Sequence, residues 1–278
     1  MDIGKFVRQS ISNYLNNPIM LLPFAIMGLL TAGFGIFSRY YLHYNLQSLG
    51  IDLEAAAFAR FVPAPLLSIL LNYAIIIVFS VLVISFISSF FHAFSIGLAE
   101  KIALKKKPVL ADGFKAIKSG FYVFGFKILI WGFTVIGAIL MALPAVFLYG
   151  IPGLLLACIG TVFLFILLQF VGFFGKQAIV LEKRNAWSGF QRSYHIIWKD
   201  LGNVLLLMVA YLFFLVGFVV FKRIFITIAS YIIAGFGLIV FSQAADFIFT
   251  FLILSPLFVI IKTSFFLKKS NPRKARGA

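Results

Sequence analysis

Between Phe121 and Leu181 the chain carries only two charged side chains, Lys127 and Lys176, in 61 residues. A surface helix in a soluble protein keeps a polar face toward water, and this stretch has none. It is long enough for two bilayer crossings of ~20 residues each. Gly150-Ile151-Pro152-Gly153, near its middle, supplies a tight turn between Phe121–Tyr149 and Leu154–Leu181. Similar runs extend from Asn17 to about Tyr41, from Leu66 to Ala99 and from Leu201 to Phe221. The first opens with Asn17-Pro18, which reads as an N-cap followed by proline at the first helical position. The last apolar stretch, Ile224 to Leu267, is too long for one ordinary span. Its first part, Ile224 to about Val240, reads as a re-entrant or surface-lying segment broken at Gly235 and Gly237, and the remainder as a sixth span. Apolar residues make up 63% of the chain, against roughly 45–50% in soluble domains. The expected fold class is all-α, a polytopic integral membrane helical bundle of six spans in a single membrane domain, residues 1–278.

The net charge is +16. On a soluble chain that excess would point to nucleic acid, but here the basic residues lie between the apolar runs, so nucleic acid is not an expected partner. With six spans, one side receives Lys5 and Arg8, seven basic residues from Lys101 to Lys127, five from Lys176 to Lys199, and six from Lys262 to Arg276. The other side receives Arg39, Arg60, Lys222 and Arg223. By the positive-inside rule both termini are cytoplasmic in a multi-pass protein of the cell membrane. Seven spans would send the basic tail, residues 268–278, to the wrong side. The first residues lack a signal-peptide pattern, so the first span is expected to stay in the mature protein.

The apolar runs also repeat. Gly4 to Tyr14, Gly113 to Phe121 and Gly189 to Trp198 each precede an odd-numbered span, and each carries a serine after basic or polar positions: Ser10, Ser119 and Ser193. Each segment is amphipathic at helical spacing. Ile3, Val7, Ile11 and Tyr14 form one face, Leu110, Phe114, Ile117 and Phe121 a second, and Trp187, Phe190, Tyr194, Trp198 and Leu201 a third. The reading is a cytoplasmic interfacial helix followed by a helical hairpin, three times over, at about 1–107, 108–184 and 185–267. Arg8, Lys115, Lys118, Trp187, Arg192, Trp198 and Lys199 are its candidate lipid contacts, with anionic headgroups as the expected partners. In these serine-bearing segments the chain resembles a broad, poorly characterised group of bacterial and archaeal membrane proteins. That group includes the membrane domain attached to some glycerophosphodiester phosphodiesterases. The resemblance implies a helical membrane domain; it brings no hydrolase domain and no catalytic residues.

Polar residues inside spans are the place to look for function. Ser85, Ser88, Ser89, His92 and Ser95 form a stripe on the second span; Thr161, Gln169, Lys176 and Gln177 lie mostly on one face of the fourth; Gln243, Asp246 and Thr250 mark the sixth. A polar cavity built from Ser85, Ser89, His92, Gln169, Lys176, Gln177 and Asp246 is one reading, and helix packing through small polar groups is the other. Lys127, Lys176 and Lys262 lie a few residues inside the basic ends, where lysine can snorkel to headgroups. The sequence holds no His-Glu-x-x-His pair, no nucleophile elbow and no phosphate-binding loop. No enzyme, cofactor or metal site is expected. Two functions remain. One is a non-enzymatic lipid-interacting scaffold or subunit, with a protein partner or a second copy of the chain. The other is a transporter or lipid-translocating protein that uses the even-numbered spans.

Overall fold

The computed structural model describes residues 3–48, 64–233 and 236–270, and among these no residue is in a strand. Among the described residues, six helices are long and apolar enough to cross a membrane: Pro18–Ser38, Leu71–Ala103, Gly120–Leu143, Leu155–Leu181, Leu201–Ser230 and Val240–Ser270. This is a multi-pass, all-α membrane protein. In hydrocarbon the helix is the way a single segment satisfies its own backbone.

The elements in order are α1 (Ile3–Leu15), a 3-10 turn (Pro18–Met20), α2 (Leu21–Ser48), α3 (Ala64–Ala103), α4 (Leu110–Ile117), α5 (Gly120–Val171), α6 (Gly175–Leu181), α7 (Ala186–Lys199), α8 (Leu201–Ser230), α9 (Phe236–Asp246), a π-helical segment (Phe247–Leu254) and α10 (Ser255–Ser270). The expected N-cap at Asn17 is not formed by its side chain, which donates back to the Asn13 carbonyl of α1 at 2.7 Å. Residues 49–63, which include Asp52, Glu54 and Arg60 of the expected external segment, lie outside the described residues.

The chain divides into two compact units: Met1–Pro23, Ser88–Phe213 and Pro256–Ala278 form the first, and Phe24–Ile87 and Phe214–Ser255 the second. In the first unit α5 is two arms joined at Gly150, whose φ of 61° and ψ of −134° lie outside the helical region. Three close approaches give the register of the arms: Gly137 to Leu164, Gly160 to Met141, and Gly172 to Ile130. The midpoints of these pairs all fall at residues 150–151, so the arms form an antiparallel hairpin that turns at Gly150. Farther along, a side chain at Gly175 would run into the Phe126 ring, which is almost fully buried. Phe174 stacks on Phe265 with ring centroids 5.3 Å apart, and Phe266 closes on the same ring at 6.4 Å. Glycine against phenylalanine is therefore what lets the helices approach here. The short helices α4 and α7 dock in a similar manner. Each buries the glycine at its fourth position, Gly113 against Phe94 and Gly189 against Ile179.

In the second unit, α8 and the α9–π segment form another antiparallel hairpin. Phe225 meets Phe241 at 5.3 Å and Phe218 meets Phe249 at 6.0 Å. This corrects the expectation of a re-entrant or surface-lying Ile224–Val240 segment. The helix of the fifth span continues to Ser230 and turns at residues 231–233, and Gly237 sits inside the following helix. Lys222 and Arg223 do not end the helix, because neither breaks helical geometry and Lys222 finds a carboxylate in Asp246. The π turn follows from Pro256, which has no N–H to give the preceding turn and whose ring needs room there.

The positive φ at Gly150 gives a direct test. Gly150→Val should lower stability by about 1–3 kcal/mol, the cost of a φ/ψ combination open essentially to glycine alone. Gly150→Asn should recover little of that loss, because the positive-φ region that asparagine tolerates has ψ of about +50° and Gly150 has −134°. Thermal unfolding in a mild detergent reads the difference.

Candidate functional site

The site begins with a fault in a helix. After Val171 the regular ladder fails over residues 172–174 and resumes in α6. Ser193 of α7, with no exposed surface, repairs it. Its Oγ accepts from the Phe174 N–H at 3.0 Å and donates to the Val171 carbonyl at 2.6 Å. A broken helix at membrane depth survives only where another side chain takes over such groups. The fault also resets the helical phase. Gln169, before it, is exposed, while Gln177, after it, is buried. The expected single polar face through Thr161, Gln169, Lys176 and Gln177 is therefore not kept. Thr161 turns its hydroxyl onto the Ala157 carbonyl at 2.8 Å. Ser193→Ala should cost about 1–3 kcal/mol, the penalty for stranding a buried donor and acceptor. A melting temperature unchanged by that substitution would show that the break holds without the hydroxyl.

Past the fault, Lys176 is the centre of a group of basic side chains. His92 on α3 feels the positive charges of Lys176, Lys127 and Lys262, and Lys127 and Lys262 each feel that of Lys176. Four elements contribute: α3, the first arm of α5, α6 and α10. Lys127 donates from Nζ to the Ser88 Oγ at 2.6 Å. Ser88 serves a second basic side chain too, because its carbonyl lies 2.7 Å from His92 Nδ1. A carbonyl only accepts, so His92 holds a proton on Nδ1. Lys262 lies over the Phe173 ring at 3.8 Å and the Tyr211 ring at 5.3 Å, in cation–π contact with both. The snorkelling expected of these lysines is not what Lys127 and Lys262 do: both end on groups of neighbouring helices. Ser89 is fully buried in the same stretch of α3, and Ser95 donates to the Phe91 carbonyl at 2.6 Å. Ser85 is half-buried and belongs to the second unit.

The other cations contrast with these. Lys101 pairs with Asp112, Arg184 and Arg192 with Glu182, and Lys269 with Asp200. Arg192, expected at the lipid surface, thus holds an internal carboxylate. Among the described residues, Lys176 and Lys262 have no carboxylate partner. Like charges gathered in one place repel, and no carboxylate among the described residues offsets that for Lys176 or Lys262.

Asp246 is elsewhere, in the second unit. It is bonded to Lys222 and lines a cavity of about 230 Å³ with Thr31, Gln243 and Thr250. That is smaller than the ~300–1,000 Å³ typical of ligand pockets, and the charge of Asp246 is already matched. Among the described residues no three His, Cys, Asp or Glu side chains gather as metal ligands would. Of the expected surface contacts, Arg8, Lys115, Lys118, Trp187, Trp198 and Lys199 are all exposed. Comparison with protein-family models, curated proteins and solved structures finds no match to this chain.

Lys127 and Lys262 read as snorkelling residues in the sequence because each lies a few residues inside the basic end of its span. That shared depth is also the signal that could have paired them. At the same end, the Asp200 carboxyl sits below the usual carboxylate range. Burial alone would raise it, but the Lys269 ammonium ion-paired to it and the hydrogen bond from Asn203 outweigh that. A lowered folded pKa stabilises above the unfolded value of about 3.9, and that stabilisation is lost as pH falls through the folded value. Melting temperatures taken from pH 6 to pH 3 should therefore fall more steeply for the native chain than for Asp200→Asn.

Proposed function

We propose that this protein is a non-enzymatic membrane module that gathers anionic lipid on its basic side, as a scaffold or subunit. The observation that carries the reading is the outward face of its short helices. Phe114 on α4 and Trp187, Tyr194 and Trp198 on α7 are large, exposed and aromatic. Beside them Lys115, Lys118 and Lys199 are exposed. Aromatic rings settle at the headgroup boundary, and the lysines attract negative headgroups. The opposite face of α7, with Gly189, Ser193, Ile196 and Ile197, is the one that packs on the protein. The charge bias of the loops supports a cytoplasmic position for this side. The three-fold repeat belongs to the proposal too: Gly113 and Gly189 dock their helices at the same position, and α3 and α6 both lead into a lysine at positive φ, Lys105 and Lys183.

Tryptophan fluorescence in vesicles tests this. With Trp131→Phe, the remaining tryptophans are Trp187 and Trp198. Brominated phosphatidylglycerol should quench them more strongly than brominated phosphatidylcholine, and salt should erase the preference. Equal quenching at low salt would sink the proposal.

Translocation of a lipid or anion is the second reading, favoured by the convergence of His92, Lys176 and Lys262 from three even-numbered spans. Its test is the exchange of a fluorescent headgroup-labelled lipid between leaflets of proteoliposomes. The rate should exceed that of protein-free vesicles and fall with Lys176→Met.

A further inference from the structure

We propose that Lys127, Lys176 and Lys262, with His92 and Ser88, form a site inside the bundle for one phosphate-class anion. This deepens the lipid-binding reading and rests on it for the source of the ligand.

The first ground is convergence. Three lysines and a histidine from four helical elements converge, with Lys176 close enough to act on each of the other three, Lys127 and His92 meeting at Ser88 and Lys262 lying over Phe173 beside the break that precedes Lys176. Chance placement of charges in apolar helices rarely does this, because each buried cation costs free energy and each neighbouring cation adds to it. The second ground is the lack of carboxylate compensation for Lys176 and Lys262 among the described residues. Three acids of the first unit are engaged elsewhere, Asp112 with Lys101, Glu182 with Arg184 and Arg192, Asp200 with Lys269, and Glu100 pairs with neither Lys176 nor Lys262. The third is the makeshift partner of Lys262, the faces of Phe173 and Tyr211. A ring face gives a cation less than an oxyanion does.

The chemistry of the group selects the ligand. A metal cation is repelled. A neutral solute would not use three ammonium groups. A phosphate group offers several acceptor oxygens and one or two negative charges. Lysine ammonium groups, each with three N–H donors, are suited to it. His92, which holds its proton on Nδ1 toward Ser88, adds a further polar group to the same wall. The phosphate can come from a lipid headgroup or from free phosphate.

The test is thermal unfolding of the full chain, delipidated in a neutral detergent, with three probes: phosphatidylglycerol in mixed micelles, inorganic phosphate, and sodium chloride at matched ionic strength. The native chain should gain about 5 °C at a hundredfold excess of the right anion over its dissociation constant. Chloride should give no such gain. A gain with phosphatidylglycerol but not phosphate assigns the site to a headgroup, and a gain with phosphate assigns it to the free anion. Lys176→Met should melt no lower than the native chain without anion, since it removes a repelling charge, and should lose the gain. Lys262→Met reads the same loss should Lys176→Met fail to fold. No gain in the native chain with either phosphate probe, or an undiminished gain in the variants, would overturn the site. The site and the wider reading fail separately. A preserved quenching preference without the thermal gain leaves surface binding and removes the site. A thermal gain without the preference leaves the site and removes surface binding.

Discussion

Every backbone N–H and C=O that lies in hydrocarbon must find a partner within the protein, and the rest of this structure depends on that requirement. It makes each apolar run a helix. It also makes the interruption over residues 172–174 expensive, so that a buried hydroxyl, Ser193, has to reach across from α7 and bond on both sides of the break. That contact links a short amphipathic helix to a long apolar one and fixes the direction in which α6 resumes. Lys176 is one residue into α6. Its place among the other cations is thus a consequence of how one helix break is satisfied.

Close packing in the first unit follows the same economy. Where Phe126, Phe174, Phe265 and Phe266 fill the space between helices, glycine supplies the opposing surface, as at Gly175. Lipid tails are as apolar as these side chains, so association of helices comes from fit more than from water exclusion. The charges follow an opposite pattern at the helix ends and inside. At the ends, lysine and arginine find Asp112, Glu182 and Asp200. Inside, Lys176 and Lys262 stand with other cations and with aromatic rings.

Much of the architecture is legible in the order of the residues. The two charges between Phe121 and Leu181 mark a hairpin, and the Gly150 turn sits where the glycine and proline cluster places it. The short helices α1, α4 and α7 lie where helical periodicity puts them. The end of the fifth span is not legible in this way, because Lys222-Arg223 looks like a boundary in sequence. In the folded chain Asp246, on the returning helix, takes up Lys222. Periodicity also overextends the polar face of the fourth span, since it assumes an unbroken helix through Gly172.

The sequence by itself determined that the chain is a bundle of membrane-crossing helices, because length and polarity alone decide what can live in a bilayer. It also placed the amphipathic helices, whose pattern is local. Only the tertiary structure decided which polar residues belong together. His92, Lys127, Lys176 and Lys262 are far apart along the chain, and Gln169 and Gln177 are close. The packing of distant helices against one another and a reset helical phase, neither of which is a local property of sequence, joined the first set and separated the second.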